Sequence, residues 1–75
     1  MSSEITNQDK IDILNRRMHN LLCIKYDIEL AVLEANAVNY PDAANLENLR
    51  LQNSDVDLKI SAITNILNSL EDEGS

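Results

Sequence analysis

Hydrophobic residues recur along this chain at alternating steps of three and four. From Leu46 onward the pattern reads Leu46, Leu49, Asn53, Val56, Ile60, Ile63, Leu67, Leu70. That is the a/d spacing of a coiled-coil seam, which keeps one narrow stripe turned toward a partner helix. A second seam precedes it: Ile11, Leu14, Met18, Leu21, Lys25, Ile28, Val32, Ala35. Each seam carries one polar member, Asn53 in one and Lys25 in the other. The pattern predicts two long helices, over about residues 6–38 and 42–71, with a turn at 39–41 and frayed termini.

The turn is signalled by Asn39-Tyr40-Pro41-Asp42. Asparagine tolerates the left-handed conformation that ends many helices. A residue before proline, here Tyr40, is pushed away from α geometry. Pro41 suits the first position of a new helix, with Asp42 beside it at the positive end of the helix dipole. At the start of the chain Thr6 is the expected N-cap, with Asp9 as its capping-box partner and Ser3 as the competing cap. A short helix–helix link makes the two helices antiparallel neighbours.

The seams can be matched against each other. Pairing Ala35 with Leu46 sets the remaining layers: Val32 with Leu49, Ile28 with Asn53, Lys25 with Val56, Leu21 with Ile60, Met18 with Ile63, Leu14 with Leu67 and Ile11 with Leu70. Every layer then sets an a residue against a d residue. Among the flanking positions, Lys10 with Glu73 and Glu29 with Arg50 are opposite in sign. Exposed pairs of this kind contribute only ~0–1 kcal/mol, so they select register more than they stabilise. The Lys25 stem packs in the seam while its ammonium reaches out toward Asp55 or Asp57.

The fold class that follows is all-α: an antiparallel two-helix hairpin of coiled-coil type. A competing reading takes Ser54-Asp55-Val56-Asp57 as an N-cap signal. It breaks the second helix near Asn53 and gives a three-helix fold. If the helix is continuous, a buried Asn53 trades stability for control of register or oligomeric state.

The seams do not exhaust the apolar residues. The first helix also carries Ile13, Leu22, Cys23, Ile24, Tyr26, Leu30, Ala31, Leu33, Ala37 and Val38, and the second adds Leu51, Leu58, Ala62 and Ile66. A two-helix hairpin leaves these in water, and monomeric soluble proteins rarely expose large contiguous apolar patches. A chain of 75 residues forms one small domain with a marginal core, and its single cysteine excludes an intramolecular disulfide. The expected remedy is a second copy. Two hairpins would form a four-helix bundle with Ile24, Leu30, Ala31, Val38, Leu51 and Leu58 in the interface. A higher oligomer is the alternative, because the surplus is not confined to one side.

Net charge is −7, and the pI is near 4.3. The basic residues Lys10, Arg16, Arg17, Lys25, Arg50 and Lys59 read as scattered. Phosphate binding needs clustered cations, so neither nucleic acid nor an anionic membrane is an expected partner. No window reaches the ~18 apolar residues of a membrane span. The start, Met1-Ser2-Ser3-Glu4, does not resemble a signal peptide. The expected location is the cytoplasm, that of the host if the chain is virus-encoded.

Candidate chemistry is sparse. His19 and Cys23 share a helix face at a spacing that can hold a metal, but two ligands are too few without Asp27 or a symmetry mate. On a helix, Asp55 and Asp57 point about 200° apart and do not converge on one ion. The residue three before His19 is Arg16, so the Glu-x-x-His pattern of di-iron bundles is missing. Phosphate-cradling loops need more glycine than the lone Gly74. Two rods offer no concave pocket. No catalytic residue, metal or cofactor is expected, and no motif identifies a family.

The expected function is that of a non-enzymatic, homo-oligomeric structural or protein–protein interaction module. One alternative is a small acidic regulator that occupies the basic site of a nucleic-acid-handling protein. A further alternative is a small assembly chaperone that covers exposed coiled-coil segments of a client.

Overall fold

The computed structural model describes residues 5–73, the last of them by its backbone alone. It contains two α-helices, α1 (Asn7–Asn36) and α2 (Ala43–Glu73), which pack against each other along their length as an antiparallel hairpin. The particle is a rod of 61 × 18 × 18 Å.

α1 begins as its sequence dictates. The Thr6 side-chain oxygen accepts from the Asp9 amide at 3.1 Å, and the Thr6 amide donates back to the Asp9 carboxylate at 3.2 Å. This reciprocal capping box satisfies two donors that the first turn leaves without intrahelical partners.

α1 ends two residues earlier than its apolar pattern suggests, and without the left-handed residue expected at Asn39. No described residue has positive φ. The last turn tightens instead: the Ala37 amide donates to the Glu34 carbonyl at 3.2 Å, three residues back. The Asn36 side chain folds back and donates to the Val32 carbonyl at 3.0 Å.

The start of α2 corrects the expected role of Pro41. Asp42, rather than a residue before it, is the cap. Its carboxylate accepts from the amides of Ala44 at 3.0 Å and Asn45 at 3.4 Å. Its carbonyl takes the first helical bond, from Leu46, at 3.0 Å. Pro41 therefore stands one place outside the helix. An aspartate capping two orphan amides outweighs the preference of proline for the first turn.

α2 runs unbroken through Asn53, which removes the three-helix alternative. Ser54 has no cap to fill because Asn53 does not leave helical geometry.

Burial follows the two seams. Each seam position from Ile11 to Ala35 and from Leu46 to Leu70 is buried or half-buried; among the other described side chains only Ala31 is half-buried and the rest are exposed. The most enclosed are Ile28, Val56 and Leu70, at 6–9% relative accessibility. Ile28 and Asn53 line one groove, and Leu14, Ile66 and Leu70 line another, as the matched register requires.

Candidate interaction surface

The hairpin has a seam, two outer edges and two long flanks. In antiparallel pairs the g positions of both helices border one flank and the e positions the other. Grooves in the surface identify which residues share each flank.

The first flank carries Glu29, Leu33, Asn36 and Arg50, which border a shallow groove floored by Ile28, Val32 and Leu46 near the turn. Two rods were expected to offer no such depression.

The cations of this flank are engaged within the hairpin. Lys25 donates to Asp57 at 2.7 Å and to Asn53 at 3.2 Å. This is the snorkelling geometry expected of a seam lysine, with the side chain 28% accessible. Arg50 pairs with Glu47 on its own helix, through Nε to Oε1 at 3.2 Å and through a second, closer contact. The expected partner across the hairpin, Glu29, is not the one chosen, because the i,i+3 neighbour on the same helix is closer. The Arg50 hydrogen bond, aided by its charge, holds the Glu47 carboxyl below its ordinary value, and the same bond raises the Arg50 guanidinium.

The second flank gathers several basic residues that look scattered along the sequence. Arg17 and Lys59, far apart in sequence, line one groove with Asn20 and Leu21. Arg16 and Arg17 border another with Ile13. Lys10 and Ile13 meet Ile66 in a third. Sequence inspection misses this cluster because only the hairpin register brings Lys59 beside Arg17. The proposed flanking pair of Lys10 with Glu73 involves a side chain outside the described residues.

The residues expected in an oligomer interface lie on this flank and the adjoining edges. Ile24, Leu30, Val38, Leu51 and Leu58 are exposed, Leu58 at 67%, while Ala31 is half-buried. Ile13 and Ile66, two more of the apolar residues outside the seams, are also exposed there. Tyr26 and Leu33 are exposed on the first flank. This many uncovered large apolar side chains marks a partner interface.

The accessible surface is 5828 Å². A compact monomer of the same mass exposes roughly 4600 Å², so the rod carries about 1200 Å² in excess.

His19 Nε2 and Cys23 Sγ stand 3.6 Å apart. Cys23 is exposed. No group of three or more His, Cys, Asp or Glu side chains among the described residues is placed to hold a metal. No helix there is long and apolar enough to cross a membrane.

No known family, curated protein or solved structure matches the chain.

Proposed function

We propose that the protein is a self-associating structural or interaction module. It is non-enzymatic and works as a dimer of hairpins in the cytoplasm, presenting its remaining surface to another protein. The observation that carries this reading is the uncovered aliphatic surface of Ile13, Ile24, Val38, Leu51, Leu58 and Ile66, all exposed in the single hairpin. Each such side chain removed from water contributes roughly 1.5–3 kcal/mol. The small core, with only Ile28, Val56 and Leu70 enclosed among the described residues, supplies little alone. Covering the surplus stabilises fold and assembly together. Light scattering across micromolar concentrations tests this, with a mass of two chains expected.

A second reading is favoured by the charge of the first flank. Its cations Lys25 and Arg50 are engaged by Asp57 and Glu47. Such a face suits a basic protein partner, as an acidic regulator requires. Partner capture that weakens steeply with added salt favours the regulator, and salt-insensitive capture favours the interaction module.

A further inference from the structure

We propose that a second copy docks on the flank bearing Arg17 and Lys59, with its long axis reversed. A twofold axis in the interface then passes over α1 level with the step from Ile24 to Lys25. This deepens, and rests on, the self-association proposed above.

Charge selects the flank. Among its described side chains, edges apart, the second flank holds three cations, Lys10, Arg17 and Lys59, and three anions, Asp27, Glu34 and Asp55. Grooves place the cations and Asn20 on this side. Heptad recurrence extends it from Asn20 to Asp27 and Glu34, and helical spacing from Lys59 to Asp55. None of these six makes an ion pair with another described residue. In a chain of net charge −7, these six charges balance and are unspent on one another. The opposite flank is net acidic, so two copies meeting through it would repel. On that flank α2 contributes only polar residues, including Glu47, Ser54, Asp57, Ser61, Thr64 and Asn68.

Charge also selects the direction. In the hairpin register Lys59 is level with Leu22, Asp55 with Tyr26, Ala62 with His19 and Ile66 with Asn15. Among these six, the cations therefore occupy the half near the chain ends and the anions the half near the turn. Parallel copies would set like charge on like. Reversal brings Lys59 opposite Asp27 and Asp55 of the other copy, and Arg17 within about 3 Å of axial travel of Glu34. The same offset places Ile24 beside its own counterpart, Ala31 against Ala62, and Val38 near Ile13 and Ile66. Polar and apolar layers are thus satisfied together.

Area is sufficient. Specific interfaces bury about 800 Å² per partner, less than the excess of about 1200 Å² that the single rod carries.

The test uses the full chain with Cys23→Ser and one spin label at Asn39→Cys in the turn. The reversed dimer places the two labels about 40 Å apart. A parallel dimer places them within about 20 Å. In a second arm, Lys59→Glu weakens dimerisation at least tenfold, and adding Asp27→Lys recovers most of that loss. A mass of one chain overturns both this arrangement and self-association. A dimer with a short label distance overturns the direction alone. A dimer indifferent to Lys59→Glu but disrupted by Tyr26→Ser with Leu33→Ser overturns the choice of flank.

Discussion

Lys25 and Asn53, 28 positions apart in the chain, meet across the hairpin through a hydrogen bond of 3.2 Å. They are the polar members of the two seams, and each supplies what the other lacks. The ammonium has donors to place, and the amide oxygen sits in an otherwise aliphatic stripe. Asp57 completes the arrangement at 2.7 Å. Polar seam residues of this kind fix alignment at a cost in stability, because apolar replacements bury more favourably. Lys25→Met combined with Asn53→Ile should therefore raise the urea midpoint, by about 1–2 kcal/mol in unfolding free energy. Asn53→Ala alone should lower stability by about 1 kcal/mol. A double-mutant cycle read by urea unfolding checks both.

The capping box makes a local prediction. Thr6→Ala removes the acceptor for the Asp9 amide and should cost about 1 kcal/mol. Thr6→Ser should cost little. Hydrogen exchange at Asp9 should quicken in the alanine variant while exchange near Ile28 shifts only by the global loss.

Burial separates core from interface. Ile28→Ala and Val56→Ala each open space in the enclosed part of the seam, so each should destabilise by about 1–4 kcal/mol at any protein concentration. Leu58 is 67% accessible in the hairpin. Leu58→Ser should leave the folded hairpin intact yet lower its apparent stability in a concentration-dependent way, because it acts through assembly. Melting curves at several concentrations distinguish the two behaviours.

The Glu47–Arg50 pair predicts a pH dependence. The folded carboxyl titrates below its ordinary value of 4.5 because Arg50 donates to it. A depressed carboxyl contributes stability that is present above its unfolded value and is lost as pH falls through the folded one. Glu47→Gln should lower stability slightly at neutral pH, flatten the acid-side slope and converge on the parent protein at low pH. Both groups are fully exposed, so the effect is small and screened by salt. A carboxyl titration followed by NMR, with and without Arg50→Gln, measures it directly.

The seams were legible because a strict heptad allows one buried stripe per helix, and one register makes every layer an a–d′ match. The chain ends of each helix were less so. Asn36, Ala37 and Asp42 settle the turn through individual hydrogen bonds, and periodicity does not encode which side chain wins a given amide. Asn53 looked like a possible break because Ser54 and Asp57 imitate a cap, but packing on α1 holds the helix through it. The candidate surface was half legible. Its aliphatic surplus could be counted in sequence, whereas the grouping of Arg17 with Lys59 depends on a contact between distant segments.

Sedimentation equilibrium at micromolar concentration bears most directly on the central claim, that the hairpin leaves more apolar surface than one chain keeps in water. A mass of twice the 8.4 kDa of one chain, falling toward one chain with Leu58→Ser and Ile24→Ser together, is the predicted result. A single-chain mass at every concentration, with a stable cooperative melt, would contradict it.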